Sequence, residues 1–333
     1  MADGTKISWA EATVNAINGC SLASPGCTNC YAMRQAHRFE IRRDLVQPSK
    51  AGNVWTGEVR LEPSQLEKPL RWKKPRWIFW NAHGDTYHPS VPDEWIDRIM
   101  AVCALTPHHT HMILTKRSDR MRRYNNDPKT PQRIGEAIVG GLVPYVRGIV
   151  DPPLDWNDAM APARLAQWPL PNVLLGVSVE DQQRAEERLP DLIATTAAAR
   201  FISAEPLLEE IDIERWLIPQ SKQSESPIDW VIVGGESGSG ARPMDSAAAR
   251  TLRDQCSAAG VAFHLKQWGE WLPVDSGHPG LEGPGFGQFD HARINDPGNV
   301  THLKVGKHQA GHMLDGREHL EMPTIHATQG KAP

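Results

Sequence analysis

The chain has 333 residues, a formal net charge of −4 and 40% hydrophobic residues. This length is enough for one large α/β domain or two ordinary ones, with a core that needs no disulfides. The slightly negative charge excludes a generally basic protein that coats nucleic acid. No apolar run approaches the ~20 residues of a membrane span, and no secretory signal pattern is present, so we expect a cytoplasmic protein without membrane association.

A polar loop near the start of the chain contains three of the five cysteines. Six residues separate Cys20 from Cys27, and two separate Cys27 from Cys30. The surrounding Ser, Pro, Gly, Thr and Asn residues are typical of a loop, which disfavours simple packing of three thiols in a core. Cys103 and Cys256 differ, because each lies on the apolar side of a predicted helix and is expected to be a small buried hydrophobe.

Two metal-binding interpretations of these three cysteines remain open. A zinc site needs a fourth ligand, for which His37 on a predicted helix after Tyr31 is the candidate. An iron–sulfur cluster of the cubane type has four irons, so three thiolates leave one iron open to another ligand.

Six short apolar runs, each followed by polar residues or glycine, come later in the chain. Continuous hydrophobicity is typical of parallel strands that are covered on both faces. The runs span residues 76–80, 112–114, 173–177, 200–202, 230–233 and 261–265.

Helix-like segments separate these runs. One spans about 92–107, and another spans 246–259 with Gly260 at the C′ position, where positive φ is common. In the first segment apolar residues recur at helical spacing, at Ile96, Ile99, Met100 and Cys103. The alternation of strands and helices predicts an α/β fold, a partial or complete (β/α) TIM-type barrel with its site at the carboxyl ends of the strands.

Two regions depart from this alternation. Residues from about 127 to 171 are rich in Pro and Gly and predict an insertion or lid, and residues 272–333 predict a loop-rich extension packed on the barrel. We therefore assign the barrel to residues 1–271, with the cysteine loop at 19–31. Two basic stretches, 68–77 and 116–123, are either nucleic-acid contacts or a solvated barrel rim.

Several motifs follow one another in order along most of the chain. They are KISW at 6–9, NGC at 18–20, SPGCTNCYA at 24–32, LTKR at 114–117, GVSVE at 176–180, SAEPL at 203–207, GGESG at 234–238, KQWG at 266–269, GK at 306–307 and LDG at 314–316. In these motifs the sequence resembles the radical S-adenosylmethionine superfamily. It resembles more closely an uncharacterised phage-associated family with a three-cysteine motif, which is distantly similar to spore photoproduct lyase.

This resemblance implies a [4Fe–4S] cluster on Cys20, Cys27 and Cys30, with S-adenosylmethionine on the open iron. The gap of six residues between the first two cysteines departs from the superfamily motif, which has three. The resemblance also implies a cofactor pocket at the strand ends, where Lys116 would bind the methionine carboxylate and Ser178 the ribose or amino group. Asn81 and Asp85 are expected on the same basis as cofactor contacts. The chemistry of the strand ends adds Glu180, Gly234, Gly235, Glu236 and Glu205 to the candidate cofactor contacts, with an interior acid bonded to backbone amides as the alternative for Glu205.

A zwitterionic methionine end needs a cation and acceptors, which Lys116, Asp85 and Glu180 can supply, although salt bridges of the barrel rim are an equal alternative for each. After the last run, Lys266, Gln267 and Trp268 are candidates for a substrate pocket, in which Trp268 would stack on a planar base.

The first functional hypothesis is a radical S-adenosylmethionine enzyme that modifies or repairs nucleic acid by acting on a base or nucleotide. Such an enzyme needs an external electron donor, and a protein partner is a further expected interaction. A small metabolite is the alternative substrate. The second hypothesis is a non-catalytic barrel that binds zinc and recognises nucleic acid or a partner protein.

Overall fold

A computed structural model describes residues 5, 7–50, 52–139, 167–218, 227–279, 290–292 and 301–325. The strands are β1 (Ala12–Val14), β2 (Ile17–Asn18), β3 (Val46–Ser49), β4 (Gly52–Trp55), β5 (Arg60–Leu61), β6 (Trp77–Trp80), β7 (Thr110–Thr115), β8 (Val173–Ser178), β9 (Ala199–Ala204), β10 (Trp230–Gly234), β11 (Ala262–Gln267), β12 (Trp271–Pro273), β13 (His291–Ala292), β14 (His302–Lys304), β15 (Met313–Leu314) and β16 (Arg317–Glu318). The helices are α1 (Tyr31–Ala36), α2 (Glu40–Arg43), α3 (Pro63–Arg71), α4 (Asp93–Leu105), α5 (Ser118–Asn126), α6 (Thr130–Val139), α7 (Gln182–Ile193), α8 (Glu214–Leu217), α9 (Ser246–Ala259) and α10 (Lys307–Ala310).

Seven parallel strands form the central sheet, in the order β1-β6-β7-β8-β9-β10-β11. Strands that pair in chain order, with helices between them, curl the sheet into a partial (β/α) barrel. The predicted α/β barrel class is therefore confirmed, and all six apolar runs are strands of this sheet. The sequence analysis missed β1, whose residues Ala-Thr-Val do not form a continuous apolar run.

Separate cores cover the two faces of the sheet. Inside the curl, aromatic side chains from neighbouring strands pack together, and Trp9 lies 4.8 Å from Phe79 between ring centroids. A Cβ at position 176 would lie 2.5 Å from the ring of Phe201, so Gly176 makes room for that ring. A larger cluster fills the layer between the sheet and the outer helices. The two clusters explain why the strands are apolar on both faces.

Both helices predicted from their spacing are present, as α4 and α9. Gly260 ends α9 with φ of 69°, in the left-handed region that favours glycine. Cys103 on α4 and Cys256 on α9 are completely buried within the outer core. Their predicted role as small core residues is therefore confirmed.

The C-terminal region packs on the barrel where the structure describes it. The Leu265 amide donates to the His319 carbonyl at 2.8 Å, so this segment pairs with the edge strand β11. Leu314 is fully buried in the outer core. In the predicted insertion, α6 packs against α4, whereas residues 140–166 lie outside the described part. None of the described helices combines the length and the apolar character needed to cross a lipid bilayer.

Candidate functional site

The cysteine loop, residues 19–31, follows β2 and lies beside the loop that leaves the carboxyl end of β6. The Gly19 amide donates to the His83 carbonyl at 3.1 Å and anchors the loop there. Gly19 has φ of 94°, and a Cβ at this position would lie 2.2 Å from the Glu58 carbonyl oxygen. Only glycine fits this approach, so the residue before Cys20 determines where the loop begins.

The sulfurs in this loop lie among hydrogen-bond donors. The Ala23 amide donates to Cys27 Sγ at 3.5 Å, and Arg117 Nη1 donates to Cys20 Sγ at 3.5 Å. Cys30 is the residue that precedes α1, so its thiol lies at the amino end of that helix. N–H groups around sulfur stabilise a thiolate, the form of cysteine that binds metals.

Cys20 and Cys27 each interact electrostatically with Cys30. Burial raises the pKa of Cys20 from 9.0 to about 12, and the neighbouring Asp85 and Cys30 add to this effect. Burial also raises the pKa of Cys30, with a further contribution from Cys27. The thiols of Cys20 and Cys30 are therefore protonated in the metal-free protein, and metal binding would release their protons.

The three cysteines are a donor set that is compatible with a [4Fe–4S] cluster. Within the described ranges, no group of three or more His, Cys, Asp or Glu side chains is arranged around one ion. His37 is the exposed residue at the end of α1. A tetrahedral zinc site needs four donors at about 2.0–2.3 Å from one point. In a [4Fe–4S] cluster each cysteine binds a different iron, so neighbouring thiols that do not converge on one point are compatible with it.

The loop that follows β10 holds the cysteine loop on one side. Glu236 Oε2 accepts hydrogen bonds from Asn29 Nδ2 at 2.7 Å and from Arg242 Nε at 3.0 Å. Arg242 Nη2 also donates to the Pro25 carbonyl at 3.1 Å. Burial alone would raise the pKa of Glu236, but these bonds lower it. Glu236, predicted as a cofactor contact, thus braces the loop through Asn29 and Arg242, which the sequence analysis missed.

Asp85 and Arg117 hold the opposite side. Asp85 Oδ2 accepts from Arg117 Nη1 at 3.0 Å, and Oδ1 accepts from the Thr115 hydroxyl at 2.6 Å. Arg117 Nη2 donates to the Ser21 carbonyl at 2.7 Å. Both oxygens of the predicted cofactor contact Asp85 are therefore engaged within the protein. The carboxylate orients Arg117 toward Cys20, and the LTKR motif, of which Arg117 is the last residue, was the available sequence signal for this arginine.

Lys116 and Glu180 form a buried ion pair beneath the loop. Lys116 Nζ lies 3.0 Å from Glu180 Oε2, and Arg188 Nη1 lies 2.9 Å from the same oxygen. Burial alone would raise the pKa of Glu180, but the two cations lower it to about 2. A Cβ at Gly26 would lie 3.1 Å from Glu180 Oε1, so this acid packs directly against the cysteine loop.

Two other predicted contacts have structural partners. Asn81 Oδ1 accepts from the Ile17 amide at 2.8 Å, and Nδ2 donates to the Thr86 hydroxyl at 2.8 Å. This side chain connects β2 to the loop after β6. Ser178, the last residue of β8, is buried, and its carbonyl accepts from Arg188 Nη1 at 2.7 Å.

A second ion pair connects the ends of β9 and β11. Lys266 Nζ lies 2.8 Å from Glu205 Oε1, and the ammonium lies 5.8 Å from the Trp9 ring centroid. A Cβ at Gly234 would lie 2.6 Å from Glu205 Oε1, so this glycine makes room for the acid. The pair lies next to the aromatic core inside the curl.

The remaining predicted residues lie between β10 and β11. Gln267 Nε2 donates to the Ser237 hydroxyl at 3.2 Å, and a Cβ at Gly235 would lie 2.0 Å from the Trp268 carbonyl oxygen. Trp268 is completely buried, and its indole N–H donates to the Met313 carbonyl at 2.8 Å. The structure places this tryptophan in the core, where its ring is not available to stack on a base.

Neither basic stretch presents a row of unpaired cations at the site. Residues 68–77 run from α3 to the start of β6, at the opposite end of the strands from the cysteine loop. In 116–123, each arginine forms an ion pair, which agrees with the rim interpretation. The pairs are Arg117–Asp85, Arg120–Asp93, Arg122–Asp191 and Arg123–Asp119.

Comparisons with known proteins identify a family but no activity. No curated protein matches the sequence significantly. Among solved structures, spore photoproduct lyase complexed with dinucleoside spore photoproduct matches with a TM-score of 0.38 and 10% identity, over 91% of this chain and 71% of the lyase. A mutant of the lyase matches with a TM-score of 0.37 and 10% identity over the same shares. Such low values do not transfer an activity. A family model described as "Protein of unknown function (DUF5131)" matches residues 4–323, and the chain belongs to that family.

Proposed function

We propose that the protein is an enzyme that binds a [4Fe–4S] cluster through Cys20, Cys27 and Cys30 and uses S-adenosylmethionine to act on a nucleic-acid base or nucleotide. The observation that carries this proposal is the cysteine loop itself. It holds three cysteines in one loop, with N–H donors on the sulfurs of Cys20 and Cys27, at the strand ends of a partial (β/α) barrel. When bound and reduced, such a cluster supplies the electron that cleaves S-adenosylmethionine to a radical.

The protein residues around the loop have separate roles in this proposal. Lys116 and Glu180 provide a cation and an acceptor for the zwitterionic methionine end, and they lie beneath Gly26. Glu205 and Lys266 provide a second charged pair at the neighbouring strand ends. Asp85 and Glu236 act as positioning residues, because protein donors engage both oxygens of each, whereas Glu180 Oε1 has no hydrogen-bond partner among the described residues.

The test is metal analysis of protein purified and reconstituted without oxygen. We expect about four irons per chain, because the cubane has four. The Cys30→Ala variant should lose the iron, because one ligand is missing. Cys256→Ala is the matched control, since this buried cysteine lies on α9 and should not affect iron content.

Further outcomes separate the alternatives. Stoichiometric zinc with no iron would overturn the proposal in favour of a zinc-binding barrel. Iron-loaded protein that is reduced by an external one-electron donor should cleave S-adenosylmethionine to methionine and a 5′-deoxyadenosyl radical, which becomes 5′-deoxyadenosine by taking a hydrogen atom from the substrate. If no cleavage occurs in the presence of oligonucleotides, nucleotides and small metabolites, the proposal that the protein is an enzyme is contradicted.

A further inference from the structure

Two exposed aromatic rings lie beside the cysteine loop. Tyr31, which follows Cys30, is 64% exposed, and Phe39, which precedes α2, is 44% exposed. Both rings face His83 in the loop after β6, with centroid distances of 6.4 Å and 6.2 Å. We call Tyr31, Phe39, Arg42 and His83 the aromatic–arginine surface.

Arg42 is the unusual member of this surface. Its guanidinium carbon lies 4.3 Å from the centroid of the Phe39 ring. Nε and Nη1 are buried and have no hydrogen-bond partner in the part of the chain that the structure describes. In contrast, all four arginines of 116–123 form ion pairs. A half-buried guanidinium with two unsatisfied nitrogens is unfavourable, and an anion bound at its exposed edge would balance its charge.

His83 adds a polar atom without adding charge. Burial lowers its pKa from 6.5 to about 4, and the nearby Arg42 contributes to the shift. The ring is therefore neutral at pH 7, and its Nδ1 is a second buried atom with no hydrogen-bond partner among the described residues. The surface thus combines one cation, one unsatisfied neutral ring and two exposed aromatic faces.

A nucleotide unit matches this combination. Its phosphate is an anion suited to arginine, and its base is planar and stacks on aromatic side chains. An acidic peptide would use Arg42 but would leave the exposed faces of Tyr31 and Phe39 without a comparable partner. The adjacent cysteine loop places any such ligand next to the proposed cluster ligands.

We propose that the aromatic–arginine surface binds a nucleotide unit, with the phosphate on Arg42 and the base against Phe39 or Tyr31. This inference rests on the proposed function, because it locates the surface that would bind the substrate. The unit belongs either to a single-stranded nucleic acid or to a free nucleotide. Duplex DNA does not fit, because its bases are stacked on one another and not available to the rings.

The experiment measures binding of fluorescently labelled single-stranded DNA and RNA, duplex DNA and a mononucleotide to the whole protein by anisotropy, over a range of salt concentrations. We expect Arg42→Gln to weaken strand binding about tenfold, because one charge-assisted contact is lost. The slope of log affinity against log salt should fall by about 0.7, the contribution of one phosphate contact on a single strand.

Phe39→Ala is the second variant, because its effect has a different signature. Loss of stacking should weaken binding about tenfold and leave the salt slope unchanged. This exposed ring precedes a short helix, so its removal tests the surface even if Arg42→Gln fails to fold. Arg43→Gln is the matched control, since Arg43 is the next residue of α2 and is exposed.

Comparable losses in the Arg42 and Arg43 variants would indicate general electrostatic attraction and overturn the proposal. Equal affinity for duplex and single strands, or binding of an acidic protein without any nucleotide binding, would also overturn it. Binding of the labelled mononucleotide shows whether the surface takes a free nucleotide or only a nucleotide within a single strand. If the protein takes up no iron but binds nucleotide through Arg42, the proposed nucleotide site stands and the proposed cluster function is wrong. If the protein takes up iron but binds no nucleotide, the proposed nucleotide site is wrong and the proposed cluster function stands.

Discussion

Two arginine–carboxylate pairs hold the cysteine loop from opposite sides, and they differ in what they contact. Arg117 and Asp85 are 11% and 6% exposed, and Arg117 donates to the sulfur of Cys20. Arg242 is 38% exposed and contacts the backbone of Pro25, while its partner Glu236 is buried. The first pair acts on a proposed ligand through charge, whereas the second acts only on the position of the loop.

Breaking the buried pair should have the largest effect. Asp85→Ala leaves the Arg117 guanidinium without its carboxylate, and we expect the free energy of unfolding to fall by about 3–5 kcal/mol. Urea denaturation followed by circular dichroism measures this change. Asp44→Ala is the control, because it removes the exposed pair with Arg60 and should hardly move the midpoint. Equal midpoints for the two variants would show that burial does not distinguish these pairs.

The acid beneath the loop should make stability depend on pH. The pKa of Glu180 falls from 4.5 to about 2 on folding, so its stabilising contribution is complete above pH 4.5 and decreases as the pH falls toward 2. We expect the difference in unfolding free energy between wild type and Glu180→Gln to be about 2 kcal/mol smaller at pH 3 than at pH 7.

The control for this pH effect is Glu187→Gln on the same segment, whose side chain is 50% exposed. Its difference from wild type should not change between the two pH values. A Glu180→Gln difference that is constant with pH would contradict the assigned ion pair with Lys116 and Arg188.

The smallest expected effect is a change in the reduction potential of the cluster, and it tests directly whether Arg117 and Arg242 have different roles. Arg117→Gln removes a positive charge next to Cys20, so the reduction potential of the reconstituted cluster should become more negative by tens of millivolts. Arg242→Gln should leave the potential unchanged and lower the iron content, because it loosens the loop. Redox titration followed by electron paramagnetic resonance measures the potential. Equal shifts in both variants would mean that the two arginines have the same role.

The strands of the barrel could be predicted because parallel strands buried on both faces are apolar along their whole length. β6 and β8 show this pattern, whereas β1 is too short and too mixed to show it. The site could be predicted only in part. The residues that follow the strands lie at one edge by topology, but topology does not indicate that Asp85 and Glu236 have protein donors on their oxygens.

Trp268 shows the same limit. Its position after the last strand of the sheet suggested a pocket, yet the C-terminal segment covers it and accepts its N–H. A sequence pattern describes neighbours along the chain, and the residues that bury Trp268 come from a segment 45 positions away.

The sequence by itself determined six of the seven strands of the sheet and the grouping of Cys20, Cys27 and Cys30 in one loop, because both depend on local patterns. Only the tertiary structure decided which charges have partners. Asn29 contacts Glu236 across 207 positions, and Arg42 is left with buried nitrogens that no described residue satisfies. Such pairing depends on which side chains the curled sheet brings together, and no local pattern in the chain encodes it.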